Sequence, residues 1–261
     1  MVINNLCGGL GNQLFQIAAG YSLAKNNNDT YAINYNLHHQ TLPAGNTKHK
    51  YRDNLFSIIS STDEMPSNEY SEQNFHYDPI PYTSPEMLLH GYFQSEKYFA
   101  EHKEDIKQLF TFPEETKLKI SKTLDALKLK TCLYHRVVGI HVRRGDYLQH
   151  FNIHPTCTIE YYKEAISKFR NSIFIVATDT PLWVKQNLCS DNVVLCNSPN
   201  ELEDMYMLSQ CDDIIISNST FAWWGAYLGK TKEQVIAPKI WFGPAGPQDY
   251  YDIYNKSWIQ I

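Results

Sequence analysis

The sequence predicts an α/β protein built on parallel sheets, and three observations carry that expectation. The chain opens on a strand-turn-helix-strand pattern. A second series of short apolar runs, each followed by a helical pattern, begins at Val137. Both series use brief β-branched runs of the kind that lie buried on both faces of a parallel sheet. A chain of 261 residues has room for two such halves.

The elements follow in order. Val2 to Cys7 reads as the first strand. Asn12 to Lys25 reads as a helix, with Leu14, Phe15, Ala18, Tyr21 and Leu23 forming a broad apolar side. Tyr31 to Tyr35 reads as the next strand. From residue 36 to 85 the periodicity weakens and Tyr, Pro and polar residues dominate, which suggests long binding loops with short helices. Met87 to Tyr92 reads as a strand. Ser95 is placed to cap a helix to about Leu109, and Pro113 suits the first turn of another ending near Lys130. Strands are expected at Val137, Ile173–Ala177, Val193–Cys196, Asp213–Ser217 and Gln234–Ala237. Helices between them are expected at Thr158–Phe169, Pro181–Leu188, Asn200–Gln210 and Thr220–Leu228. The segment from Lys130 to Arg136 is the expected boundary, giving domains 1–135 and 136–261. The aromatic tail from Trp241 is expected to pack back onto the body.

Composition excludes several classes. Hydrophobic residues at 43% supply ordinary cores, and a net charge of -5 speaks against a nucleic-acid or anionic-membrane partner. None of the six cysteines forms a C-x-x-C pair, which speaks against a zinc site and fits free thiols in a reducing compartment. No apolar run approaches the roughly 20 residues of a spanning helix, and the N-terminal run has no signal-peptide pattern. The expectation is a cytoplasmic protein without a stable membrane anchor, with peripheral association at the inner face of a membrane as the alternative.

Three blocks carry chemistry. The stretch His141-Val142-Arg143-Arg144-Gly145-Asp146-Tyr147 follows a buried-strand pattern. Open α/β sheets bind ligands at that carboxyl edge, and two arginines there ask for an anion such as a diphosphate. The bland alternative is an exposed turn whose arginines pair with surface carboxylates. Alternation puts His141 and Arg143 on one side and Arg144 on the other. Asp146 either braces an arginine or lies near an acceptor. The second block, Gly8-Gly9-Leu10-Gly11-Asn12-Gln13, is neither a complete dinucleotide fingerprint nor a Walker A loop. Its content is a tight turn that lets a ligand approach a helix N-terminus, with Asn12 and Gln13 near a sugar or phosphate; a plain structural turn is the alternative. In the third, Ser217-Asn218-Ser219-Thr220-Phe221, a strand closes and a helix opens, offering an anion site, simple N-capping by Ser219, or both together. Trp223 and Trp224 read mainly as packing, and Glu203-Asp204 as dipole compensation. Asp179 ends another strand, where an Asx or helix cap before Pro181 is the alternative to ligand contact.

These three blocks, in this order and spacing, resemble the signatures of the family 11 glycosyltransferases, the alpha-1,2-fucosyltransferases. The resemblance spans most of the chain. It implies a GT-B fold with two Rossmann-like domains facing a cleft, a GDP-fucose donor, inversion at the anomeric carbon and no metal or other cofactor. The N-terminal domain would serve the acceptor and the C-terminal domain would bind GDP-fucose. The implied reaction moves L-fucose to the O2 hydroxyl of a galactose-terminated glycan. Arg143 and Asn12 are the expected catalytic residues. Gly9, Gly11, His141, Arg143, Arg144, Asp146, Asp179, Asn218, Ser219, Thr220 and Phe221 are the expected donor contacts. A more remote resemblance to alpha-1,6- and protein O-fucosyltransferases places Asp179 on the guanine edge, beside His141. Residues 36–82 are the expected acceptor surface. The general base stays open among Asp146, His38, His39 and the acids of the early loops. A non-catalytic nucleotide-sugar sensor, or a GDP-sugar transferase making another linkage, is the alternative function.

Overall fold

The computed structural model describes residues 1–37, 48–83, 85–130, 136–196, 198 and 200–261. Residues 1–111 and 249–255 form one compact unit, and residues 112–248 and 256–261 form another.

In the first unit, β1 (Val2–Asn4) leads into α1 (Leu10–Asn26) and β2 (Tyr31–Ile33). β3 (Asn68–Ser71) and β4 (Met87–His90) complete a four-stranded parallel sheet in the order β2-β1-β4-β3. Strand order reverses between β1 and β4, so the loops after those two strands meet at one carboxyl edge. The helix α1 is buried on most of its surface, including Leu14, Phe15, Ile17 and Ala18 at 0% exposure, because it lies on the sheet rather than beside solvent. Its start is set by Gly8, whose φ of +74° is a left-handed conformation, and where a Cβ would stand 2.5 Å from Asn12 Nδ2. Gln16 fixes the same turn by accepting from Cys7 N–H at 2.9 Å and donating to Cys7 C=O at 3.2 Å.

The strand β3 was not expected. Its residues are polar and mostly exposed, so no alternation marks it. The single helix expected from Ser95 is instead two short 3₁₀ turns, Glu96–Tyr98 and Ala100–His102, before α2 (Lys103–Leu109). Ser95 does cap, accepting from Lys97 N–H through its hydroxyl.

The second unit begins with α3 (Glu114–Lys130) and contains a six-stranded sheet. In chain order come β5 (Arg136–Val142), α4 (Ile159–Ser167), β6 (Ser172–Thr178), α5 (Pro181–Asn187), β7 (Val193–Leu195), α6 (Glu201–Gln210), β8 (Asp213–Ile215), α7 (Thr220–Tyr227), β9 (Val235–Ala237) and β10 (Ile259–Gln260). Every pairing is parallel, and the order is β7-β6-β5-β8-β9-β10. This is the doubly wound Rossmann order, with its switch point between β5 and β8. The α/β architecture with parallel sheets is the one the sequence predicts.

The expected boundary near residue 135 falls in residues 131–135, outside the described residues, and the division between units lies earlier, between Thr111 and Phe112. The reason is that α3 is tied to the second unit. Lys119 pairs with Glu203 at 2.8 Å, and the Phe112 and Tyr206 rings stand 5.0 Å apart. Glu203 therefore does more than face a helix dipole: it joins Asn200 in a reciprocal cap of α6 and anchors α3. The aromatic tail also divides. Asp249 accepts from Phe75 N–H at 2.9 Å, and Asp252 accepts from Tyr77 N–H at 3.0 Å and pairs with Lys97, so residues 249–255 count with the first unit. Among the described residues no helix is long and apolar enough to cross a membrane.

Candidate active site

The carboxyl edge of the second sheet gathers most of the expected site. β5 delivers His141, and the loop after it carries Arg143, Arg144 and Asp146. β6 delivers Asp179, and β8 delivers Ser217 and the start of α7. His141 and Ser217 bridge the switch point itself, with His141 Nδ1 2.7 Å from Ser217 Oγ. The imidazole is buried, and its ring lies 5.3 Å from that of Phe221. Burial, with the nearby Arg143 charge, pulls its pKa down to about 3, so it is neutral at physiological pH.

Arg143 is held as a fork. One terminal nitrogen pairs with Asp146 at 2.8 Å and the other with Asp179 at 3.0 Å, while 37% of the side chain stays exposed. Arg144 turns away. Its guanidinium lies 4.3 Å from the centre of the Trp183 ring and reaches Cys157 C=O, which is a bracing position. Asp146 takes the bracing role that the sequence left open, through Arg143.

Asp179, placed by resemblance on the base edge, also meets three donors of its own protein. Arg144 N–H donates to Oδ1 at 3.0 Å, Gly145 N–H donates to Oδ2 at 3.1 Å, and Arg143 pairs with Oδ2. It clamps the arginine loop, and at Gly145 a Cβ would meet Asp179 Oδ2 at 2.8 Å, so a larger residue there would press on the clamp.

Asn218 is 2% exposed; its amide donates to Pro155 C=O at 2.8 Å and to Trp241 C=O at 2.9 Å, and its Oδ1 faces Cys157 Sγ. Its own C=O accepts from Tyr147 O–H at 3.2 Å. The residue is a hub that fixes the strand-to-helix turn. Ser219 is the N-cap of α7 in extended conformation, and its hydroxyl makes no capping bond, so plain N-capping is not its role. Thr220 and Phe221 form the first turn of α7, where backbone N–H groups favour an anion. Trp223 and Trp224 are both fully buried and serve packing, as expected.

Gly9, Gly11 and Asn12 lie at the carboxyl edge of the first sheet. Gly9 is the N-cap of α1, and a Cβ built on it would meet nothing within 4 Å, so open space lies over the turn. Gly11 is buried within the first turn. Asn12 accepts from Gln94 Nε2 at 3.0 Å, which joins the loops after β1 and β4 across that sheet's switch point. Sequence reasoning did not single out Glu72, which follows β3. Its two carboxylate oxygens accept from Tyr92 N–H at 2.7 Å and Phe93 N–H at 3.0 Å. Burial pushes its pKa up to about 7, against those hydrogen bonds and with a contribution from Asp249. The one available signal was a glutamate directly after a strand, and the strand was illegible. His38 and His39 lie outside the described residues.

Comparison with known proteins bears on the family and the fold. The model of glycosyl transferase family 11 matches residues 2–261. An alpha-1,2-colitosyltransferase of Escherichia coli is 30% identical, with 100% of this chain and 99% of that protein covered. A galactoside alpha-(1,2)-fucosyltransferase 2 of Oryctolagus cuniculus is 27% identical over 86% of this chain and 66% of that protein. Among solved structures, the fucosyltransferase NodZ from Bradyrhizobium is similar with a TM-score of 0.54 at 15% identity, covering 87% of this chain and 92% of that one. POFUT1 in complex with GDP is similar with a TM-score of 0.54 at 11% identity, covering 90% and 97%. These two likenesses extend the fold to the GT-B fucosyltransferases, as the sequence led us to expect. A match to the family model along nearly its whole length places the chain in glycosyltransferase family 11.

Proposed function

We propose that the protein transfers L-fucose from GDP-β-L-fucose to the O2 hydroxyl of a galactoside, inverting the anomeric carbon. The observation that carries this reading is the convergence of His141, Arg143 and the start of α7 on the switch point of a Rossmann-ordered sheet. The departing GDP gains negative charge as its bond to fucose breaks. Arg143, already oriented by Asp146 and Asp179, and the N–H groups opening α7 would meet that charge without a metal ion. Neutral His141 suits a hydrogen bond to the nucleotide because it adds no charge to a buried position. The open space over Gly9 leaves room for a sugar against the start of α1, with Asn12 beside it.

A second reading changes only the donor sugar. The relative at 30% identity is named a colitosyltransferase, so a colitosyl donor belongs in the same test. Incubation with GDP-fucose or GDP-colitose and lactose, followed by NMR of the product linkage, decides between them. An alpha-1,2-fucosyl product formed equally with EDTA and with added magnesium is expected. Donor binding without turnover on a panel of galactosides would favour a nucleotide-sugar sensor. Activity lost on chelation and restored by metal would defeat the metal-free mechanism.

A further inference from the structure

We propose that Glu72 is the general base that takes the proton from the acceptor hydroxyl, an assignment that rests on the transferase reading above. Three features of its placement point there. It follows β3 at the carboxyl edge of the first sheet, one strand from the switch point where the Gly8–Gly9 turn and the Asn12–Gln94 bond lie. Its carboxylate is aimed by two backbone N–H groups, from Tyr92 and Phe93, one on each oxygen. Each oxygen keeps a second lone pair for a hydroxyl. The backbone is shaped around it: Gly91 has a φ of +156°, and a Cβ there would stand 2.5 Å from Glu72 Cβ and 2.9 Å from its Oε2.

The protonation behaviour suits the task. A base works best when its pKa lies near the working pH. Burial raises Glu72 to about 7. The titratable groups that bear on it are Cys7 after β1, Tyr70 of β3, Tyr92 after β4, Tyr98 in the first 3₁₀ turn, and Asp249 on the returning tail. All five are neutral or anionic, and Asp249 pushes in the raising direction. The Tyr92–Phe93 turn therefore holds the group firmly through bonds that lower its pKa, and burial outweighs them.

The step balances without a co-reactant. The acceptor O2 forms a bond to the fucose anomeric carbon as the bond from that carbon to the β-phosphate oxygen breaks. The electron pair of the broken bond leaves with GDP. The hydroxyl proton passes to the Glu72 carboxylate, which later releases it to water.

The test is the pH profile of kcat/KM for acceptor in wild type, Glu72→Gln and Glu72→Asp, with GDP affinity measured by calorimetry on each. Wild type is expected to lose rate below about pH 7, as the base becomes protonated. Glu72→Gln is expected to lose about 10²–10⁴-fold in transfer, to lose the acidic limb, and to keep its GDP affinity. Glu72→Asp should retain a limb at a shifted pH with reduced rate. A Glu72 that merely holds the Tyr92–Phe93 turn would leave the limb in place in every folded variant. Transfer by Glu72→Gln within tenfold of wild type overturns the assignment, and so does a wild-type profile flat from pH 5 to 8, which decides even if the Gln variant does not fold. A wild type that transfers nothing to any acceptor defeats the transferase reading itself.

Discussion

The two sheets have the same kind of carboxyl edge and arm it differently. In both, parallel strands reverse their order and leave loops converging on a switch point. The edge of the second unit presents Arg143, the first turn of α7 and an imidazole kept neutral by burial. The edge of the first unit presents an open glycine turn, the Asn12 and Gln94 amides and one half-buried carboxylate, Glu72. The acids differ in the same sense. Asp179 has an arginine on it, whereas Glu72 has the negative Asp249 as its charged influence. Topology supplies the niche in each case, and the side chains select what enters it. An oriented arginine beside helix N–H groups suits a diphosphate, and an edge of amides and one carboxylate suits a neutral polyhydroxyl molecule.

The largest expected effect comes from removing the cation. Arg143→Ala should lower transfer by about 10²–10³-fold or more and weaken GDP binding, while the thermal unfolding midpoint stays within a few degrees. The side chain is more than a third exposed, at 37%, so its loss opens no core cavity. Transfer assays, calorimetry with GDP and circular dichroism together check this. Near-normal turnover in a folded variant would end the assignment and erase the contrast between the edges.

How much of this was legible follows from burial. The second unit was readable almost element by element because its strands are short apolar runs, such as Val137 to Ile140 and Ile173 to Ala177, buried throughout. β3 was not, because Asn68–Ser71 is polar and its stability comes from pairing with β4 rather than from side-chain alternation. Glu72 went unassigned for the same reason: without the strand, nothing located its carboxyl end. The donor block was legible as a block, and the partners of its members within the protein were not. Asn218 and Asp179 are polar residues at a ligand-binding edge, yet their hydrogen bonds go to Pro155, Trp241, Arg144 and Gly145. Those partners come from distant segments that no local pattern connects. The unit division was displaced likewise, because Lys119 finds Glu203 far along the chain.

A middle-sized effect separates clamp from reader at Asp179. Asp179→Ala orphans the N–H groups of Arg144 and Gly145 and frees Arg143. Those N–H groups lie at an exposed edge, so the cost falls on Arg143: losing its aim at the diphosphate, a hydrogen bond between charged groups, should weaken nucleotide binding by roughly one to two decades. As a clamp, Asp179 should affect GDP, ADP and UDP alike. Gly145→Ala should imitate it, since the new methyl would press on Asp179 Oδ2. Calorimetry with three nucleotides decides the matter. If only GDP weakens, to the level of the others, Asp179 reads the base after all.

The smallest effect sharpens the contrast through stability. His141 has a folded pKa of about 3 against an ordinary value of 6.5, so the unfolded chain binds its proton more readily. Its contribution is full above pH 6.5 and is lost as pH falls toward 3. Glu72 has the opposite sign. Its folded pKa is about 7 against 4.5, so the folded state holds the proton more tightly. Its contribution is full below pH 4.5 and is lost as pH rises through 7. Between pH 4.5 and 6.5 the two slopes oppose, each at most about 1.4 kcal/mol per pH unit. His141→Asn removes one slope and should make stability fall more steeply as pH rises across that window. Glu72→Gln removes the other and should make stability rise with pH. Urea unfolding at several pH values on the three proteins measures both tilts. Because the groups sit in different units, each variant should move chiefly the transition of its own unit where the two separate. Tilts of the same sign, or none in either variant, would mean that the two edges do not differ in charge as drawn.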